Sequence, residues 1–288
     1  MINQLTIIGV GLIGGSFARA LRRAGTVNRI VGCGRNRPNL EKALELGVID
    51  NFFTDIKSAV KDADCIFIAT PVYTFQGIFE QLKDHIKASA IITDGGSTKA
   101  NIIAAAERVF GVVPENFVPG HPIAGTENSG VEASFPELYQ NRKVILTPML
   151  NTDHDCLETV SQLWQDCGAD VVLMDAEHHD LVLGATSHLP HLLAFSLVNT
   201  LATVDDKKEI FDYAAGGFRD FTRIASSDPT MWHDICLANK DALLEHLEHF
   251  QTDLKHLTQA LKDEDGVYIK DVFSRAKNAR DQFMDKDS

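Results

Sequence analysis

The sequence predicts an α/β protein, with a doubly wound, mostly parallel sheet in its N-terminal part and an all-helical C-terminal part. Three observations carry this. Short apolar runs alternate with amphipathic stretches through the first 150 residues, the order that builds a parallel sheet with helices on both faces. A glycine-rich turn joins the first run to the first helical stretch. After about Asp175 the strand-type runs cease and long helical patterns take over. The expected division is residues 1–172 and 173–288.

The expected strands are Leu5–Val10, Arg29–Cys33, Cys65–Thr70, Ala90–Thr93, Asn116–Pro119 and Val144–Thr147, with a further short run at Asp170–Met174. Strands covered on both faces read as near-continuous apolar runs, as these do. Gly14–Ala24, Leu40–Leu46, Tyr73–His85, Lys99–Val109 and Asp153–Cys167 read as the helices between and after them. In the C-terminal part helices are expected at Ala176–Leu201, Pro229–Leu261 and Gly266–Phe283. The Asp205–Lys208 charge cluster and Gly216-Gly217 are expected breaks. Asp228 suits an N-cap and Pro229 the first helical position, where its missing N–H costs nothing. No further Gly or Pro occurs before Gly266, so this helix is expected to run unbroken. Within it Leu243, Leu247, Phe250, Leu254, Leu257 and Leu261 form a heptad seam, which needs an apolar partner helix. The spacing does not choose between a partner in the same domain and one in a second subunit. A long seam at the C-terminal end is read as a homodimer contact.

Composition narrows the function classes. With 27 Lys+Arg against 40 Asp+Glu the net charge is −13, which argues against nucleic acid, whose phosphates need clustered cations. An anionic small substrate stays open, since a few arginines can dominate a local site. The 5 cysteines (Cys33, Cys65, Cys156, Cys167, Cys236) are scattered without a C-x-x-C and read as reduced thiols of a cytoplasmic protein. The strongly apolar stretches are about strand length, so no membrane span is expected. The first residues lack a basic n-region, so no signal peptide is expected.

Gly9-Val10-Gly11-Leu12-Ile13-Gly14 follows an apolar run and opens a helical stretch. In that context G-x-G-x-x-G reads as a Rossmann-type dinucleotide site. Gly9 makes the tight turn, Gly11 lets pyrophosphate approach the backbone, and Gly14 lets helix and strand pack closely. The helix N-terminus beginning at Leu12 and Ile13 supplies N–H groups to the phosphates. About twenty residues past the motif, where an NAD site offers an acid to the ribose, stands Gly34, followed by Arg35 and Arg37. Arginines without the acid fit a 2′-phosphate, so NADP is favoured over NAD.

Other polar and glycine-rich segments fall where strands should end: Thr70-Pro71, Asp94–Lys99 and Gly120–Glu127. Ligands bind outside the carboxyl ends of such strands. His121 is expected in a loop, with neither a helical nor a strand face to serve, and near neutrality it is a natural general base. Ser97 is expected to hydrogen-bond that imidazole and fix its tautomer. In the helical part, His188 with His191 and Arg219 with Arg223 each share a helix face if helical, and such cations suit a carboxylate-bearing substrate. A zinc site from His121, His188 and His191 is the weaker reading, and no metal is expected. His246, His249 and His256 lie among carboxylates and read as a solvated or dimer face.

The combination GVGLIGGS, DGGSTK, GHPIAGTENSG, TSHLPH and GFRDFTRIASSDPTMW resembles the prephenate/arogenate dehydrogenase family of tyrosine biosynthesis, in order and across nearly the whole chain. The resemblance implies a Rossmann-type domain, a helical C-terminal dimerisation domain, and oxidative decarboxylation of a cyclohexadienol. It implies that His121 hydrogen-bonds the ring C4 hydroxyl and that Ser97 positions both hydroxyl and histidine. Arg223 would hold a substrate carboxylate and His188 and His191 would line the pocket. Thr126 and Glu127 would stand at its edge, with Trp232 in the pocket near the dimer interface. Arg219 stands where a relative carries Lys. Two rivals remain: another two-domain dehydrogenase, such as a β-hydroxyacid dehydrogenase or an imine reductase, and a non-enzymatic NAD(P)-binding regulator. The hydroxyacid enzymes are expected to carry a catalytic Lys on the interdomain helix, and the Ala176–Leu201 stretch has none.

Overall fold

The structure is a computed structural model describing residues 1–205 and 207–284. Its main sheet is built from β1 (Ile2–Ile8), β2 (Val27–Cys33), β3 (Asn51–Phe53), β4 (Cys65–Ile68), β5 (Ile91–Asp94) and β6 (Phe117–Val118), in the order β3-β2-β1-β4-β5-β6, all parallel. The order turns back between β1 and β4, which opens a crevice at their carboxyl ends. Helices α1 (Leu12–Ala24), α2 (Arg37–Glu45), α3 (Ile56–Val60), α4 (Phe75–Leu82) and α5 (Ala100–Phe110) make the crossovers as far as β6. A second sheet follows: β7 (Gly120–Pro122) pairs antiparallel with β8 (Lys143–Leu146), and β8 pairs parallel with β9 (Asp170–Leu173) across α6 (His154–Asp166).

Alternation along the strands makes two cores, one on each face of the main sheet. In β4, Cys65 and Phe67 join one and Ile66 and Ile68 the other. The first centres on Phe17, whose ring lies 4.4 Å from Trp164 and 4.5 Å from Phe67. This burial on both faces explains why the strands read as unbroken apolar runs.

The helical part comprises α7 (Ala176–Leu183), a π-helical turn (Gly184–His188), α8 (Leu189–Ala202), α9 (Lys207–Asp212), α10 (Gly216–Thr222), a 3-10 turn (Arg223–Ser226), α11 (Pro229–Ala238), α12 (Lys240–Lys262) and α13 (Gly266–Met284). By packing, the chain forms two compact units, Met1–Lys240 and Asp241–Ser288. The division at 172/173 follows the change in composition, and the one at 240/241 follows contacts.

Several expectations are corrected. His121 is not in a loop: it sits in β7, opposite Ile145 of β8. Val144–Thr147 does not extend the main sheet but falls in the second one. Ala176–Leu201 is interrupted by the π turn, and Pro229–Leu261 is divided at Asn239. Gly216-Gly217 opens α10 instead of breaking a helix. In the Asp205–Lys208 cluster, Asp206 lies outside the described residues. The helical run Ala176–Ala202 is 27 residues and apolar enough, by length and composition, to cross a membrane, where only strand-length apolar stretches were expected. Counting uninterrupted apolar residues missed it, because Asp180, His188 and His191 punctuate the run.

Candidate active site

The cofactor cleft lies at the carboxyl ends of β1, β2 and β4 and has a volume of about 880 Å³. Gly9, Gly11, Arg35, Thr70 and Pro71 line it. Gly9 has φ +98°, and a Cβ there would stand 2.4 Å from the Ala69 carbonyl oxygen. Gly14 supports the same turn from within α1, where a Cβ would meet the Gly9 carbonyl oxygen at 2.2 Å. At Gly11 a Cβ would meet no protein atom, so its absence keeps ligand space open and relieves no clash. The N-terminus of α1 at Leu12 and Ile13 has no side-chain cap and no acid in its first turn. Uncapped N–H groups and a partial positive charge are what a pyrophosphate requires, so these residues fit a dinucleotide. Arg37 does not line the cleft: it pairs with Glu41 at 2.8 Å and lies 5.6 Å over the Phe52 ring. An i,i+4 carboxylate on the same helix takes it away from the position expected of it.

Beyond the crevice, a chain of hydrogen bonds fixes the histidine tautomers. Asp180 on α7 accepts at both oxygens from the backbone N–H groups of Lys99 (2.8 Å) and Ala100 (2.9 Å), where α5 begins. Asp180 Oδ1 also faces His179 Nδ1 at 2.8 Å, and His179 Nε2 faces His121 Nδ1 at 2.9 Å. A carboxylate only accepts, so His179 carries its hydrogen on Nδ1 and, when neutral, a lone pair on Nε2. His121 must therefore donate from Nδ1, which leaves its Nε2 as a bare lone pair. Ser97 does not fill this role: among the described residues the hydrogen bond on the His121 ring runs to His179.

Burial favours the neutral forms. Burial holds His121 well below its ordinary value, and the charges of His179, Lys99 and His188 push the same way. Burial also lowers His179, against the opposing pull of Asp180. Asp180 is pushed up by burial, but His179 and the two backbone amides outweigh this and keep it a carboxylate. Beneath them, Lys99 and Asp94 are fully buried and bonded at 2.5 Å, and Lys99 Nζ also donates to the Gly120 carbonyl at 2.6 Å. Burial raises Asp94 and lowers Lys99, against the attraction of each for the other. The pair ties the end of β5 to the residue before His121.

The expected substrate residues converge beside this chain. The His191 and Trp232 rings stack 3.5 Å apart, and His188 lies 6.1 Å from the same indole. Arg223 faces Glu127 at 3.6 Å and depresses His191 by its charge, after the larger effect of burial. Thr126 accepts from the Asn128 N–H at 3.3 Å and closes a turn beside Glu127. Arg219 is exposed on α10, and the helix ends between it and Arg223. Among the described residues, the group of His, Asp and Glu donors close enough for a metal is His154, Asp155 and Glu158, exposed on α6 and away from these histidines.

His179, Asp180 and Asn239 carry this architecture and were not predicted, while Asp94 and Lys99 were expected only as the ends of a cleft-lining segment. One signal was present: Asp180 interrupts an apolar helical stretch, and a charge there has to be paired.

The chain is similar to known proteins over nearly its whole length. Residues 17–173 match the family model "prephenate dehydrogenase, nucleotide-binding domain", and residues 175–275 match "prephenate dehydrogenase, dimerization domain". The chain is 38% identical over 283 residues to a cyclohexadienyl dehydrogenase of Zymomonas mobilis, covering 97% of this chain and 96% of that protein. It is likewise 38% identical over 285 residues to a prephenate dehydrogenase of Bacillus subtilis, covering 98% of this chain and 76% of that protein. A crystal structure of prephenate dehydrogenase from Aquifex aeolicus, in complex with hydroxyphenyl propionate and NAD+, superposes with a TM-score of 0.91 at 40% identity, covering 98% of both chains.

Proposed function

The chain belongs to the prephenate dehydrogenase family, and we propose that it oxidatively decarboxylates prephenate or arogenate, giving 4-hydroxyphenylpyruvate or tyrosine, as an oxidoreductase of tyrosine biosynthesis. The observation that carries the reading is the bare lone pair on His121 Nε2, set by Asp180 through His179. When bound, the nicotinamide accepts the hydride from C4 of the ring. His121 Nε2 takes the C4 hydroxyl proton, and Ser97 is assigned to position the same hydroxyl. As the C4 oxygen becomes a ketone it draws electrons from the departing ring carboxylate. CO₂ leaves, the phenol oxygen regains a proton from His121, and aromatisation drives the step. Arg223, His188, His191 and Trp232 hold the substrate, with Thr126, Glu127 and Arg219 at the edge. The protein contributes orientation, a base and charge complementarity.

The test pairs each substrate with NAD and NADP and follows the reduced nicotinamide. Turnover in any pairing supports the reading. Cofactor binding without turnover in all four moves the weight to another dehydrogenase or a regulator.

We also propose NADP over NAD. Support comes from Gly34 in place of an acid and from Arg35 at the cleft, while Arg37 is engaged by Glu41. The nearest atoms to a Cβ at Gly34 would be those of the Leu40 side chain, at 3.8 Å and beyond, an ordinary contact that admits an aspartate. Gly34→Asp is expected to lower the ratio of kcat/KM for NADP over NAD by roughly 10- to 100-fold, the worth of one or two charge-assisted hydrogen bonds. An unchanged ratio makes Arg35 a surface residue only. The assembly proposed is a homodimer through α12 and α13, on which Leu254, Leu261, Val267 and Phe273 stand exposed in the single chain. A cytoplasmic location accompanies this reading.

A further inference from the structure

Two buried nitrogens among the expected substrate residues lack acceptors. His188 is 1% exposed and Trp232 8% exposed, yet among the described residues His188 Nε2 and Trp232 Nε1 have no hydrogen-bond partner. Which His188 nitrogen bears the hydrogen follows from Asn239. The Asn239 amide nitrogen donates to the Asp180 carbonyl oxygen at 2.7 Å and to His188 Nδ1 at 3.0 Å. That nitrogen has two hydrogens and accepts nothing, so both are used and Nδ1 is an acceptor. Turning the amide over would set its oxygen against the Asp180 carbonyl oxygen, so the backbone fixes its orientation. A neutral imidazole accepting at Nδ1 carries its hydrogen on Nε2. The orphan nitrogen of His188 is therefore an N–H donor, and the indole whose centre lies 6.1 Å away carries a second nitrogen that can only donate.

We infer that Asn239 is a positioning residue that locks His188 as a neutral Nε2–H donor, and that His188 and Trp232 form a two-donor subsite for an acceptor oxygen of the substrate. This rests on the proposed function. Native proteins rarely bury unpaired donors, and two on neighbouring rings mark a place where the ligand brings the acceptor. The subsite receives a ketone or carboxylate oxygen and offers an ammonium group nothing. The same demand explains the break in the expected helix. Asn239 ends α11 with φ −112° and ψ 34°, outside helical geometry, and its side chain is turned to Asp180 and His188. The donor is also insensitive to pH near neutrality. Burial pulls His188 down to about 4, with His179 and His191 pushing the same way against Asp180.

The tautomer can be read in the resting enzyme by ¹⁵N NMR of labelled histidines, with His188 assigned by the signal lost in His188→Gln. The expected result at pH 7 is a protonated Nε2 and an unprotonated Nδ1. In Asn239→Asp the Asp180 carbonyl loses its donor, and the carboxylate facing Nδ1 draws the hydrogen there and raises the His188 pKa. The groups facing His188 are otherwise the same: His179 and Asp180 on α7, His191 on α8 and Trp232 on α11. Substrate KM in Asn239→Asp should then rise about tenfold at pH 8, the worth of one lost hydrogen bond, with kcat changed less. It should recover as pH falls and the imidazolium again carries a hydrogen on Nε2. Where Asn239→Asp does not fold, Asn239→Ala should give mixed His188 tautomers. A wild-type His188 protonated at Nδ1, an unchanged and pH-independent KM in Asn239→Asp, or a single Nε2–H tautomer kept in Asn239→Ala overturns the inference. The NMR arm needs no substrate, so absent turnover beside the expected tautomer overturns the functional reading and leaves the lock standing.

Discussion

His121→Asn lowers kcat by roughly 10²–10⁴-fold, the range for loss of a positioned general base, and leaves dinucleotide affinity at its wild-type value. The two effects separate because the base and the cofactor cleft are built on different elements. His121 stands on β7, held from behind by His179, whereas the cleft is lined by the turn after β1 and the ends of β2 and β4. An asparagine side chain can occupy the space and hydrogen-bond His179, but it has no basic lone pair. The pH profile carries the same information. His121 must be neutral to accept the hydroxyl proton, and burial holds it well below the usual imidazole range. The kcat/KM of the wild type should therefore be flat through neutrality and fall only at a more acid pH than an ordinary histidine gives, as the imidazole protonates. His121→Asn should lose that acid limb. Near-wild-type turnover in the variant removes His121 from the reaction.

Asp180→Ala should be nearly as damaging, at about 10²–10⁴-fold in kcat, although the residue touches no substrate. Asparagine is the poorer probe, because its oxygen in the Oδ1 place still accepts from His179 Nδ1 and from the Lys99 N–H. Alanine removes the acceptor, so His179 gains by donating from Nε2 to His121 instead. His179 then carries its hydrogen on Nε2 and donates to His121 Nδ1. That places the remaining hydrogen of His121 on Nε2, turning the base into a donor. The same logic governs the aspartate of a Ser-His-Asp triad. The substrate KM should change little, because the pocket residues Arg223, His191 and Trp232 are not displaced. A folded Asp180→Ala with wild-type kcat shows that the relay does not set the state of His121.

The legible parts of the molecule are those with local signals. The glycine turn, its flanking strand and helix, and the absence of an acid at Gly34 are contiguous in sequence, and the cleft forms where they place it. His121, His188, His191 and Trp232 were identified as site residues and do converge. Their connections were not legible, because hydrogen bonds spanning 58 residues from His121 to His179 and 51 from His188 to Asn239 leave no periodic trace. Ser97 is expected from its hydroxyl to hydrogen-bond the His121 imidazole and fix its tautomer, whereas helix α7 brings His179 to that ring. The helix break at Asn239 was missed because neither Gly nor Pro marks it. Its cause is tertiary, an amide needed by Asp180 and His188. Arg37 stands outside the cleft lining for a local reason, paired with Glu41 one helical turn away.

The central claim is that this site couples oxidation at C4 to loss of the ring carboxylate, with His121 as the base. The most direct test incubates the enzyme with prephenate and oxidised cofactor, and counts reduced nicotinamide, CO₂ and 4-hydroxyphenylpyruvate together. Equal amounts of all three, formed at one rate and lost together in His121→Asn, are the predicted result. Reduced nicotinamide without matching CO₂, or equal products that persist undiminished in His121→Asn, would contradict it.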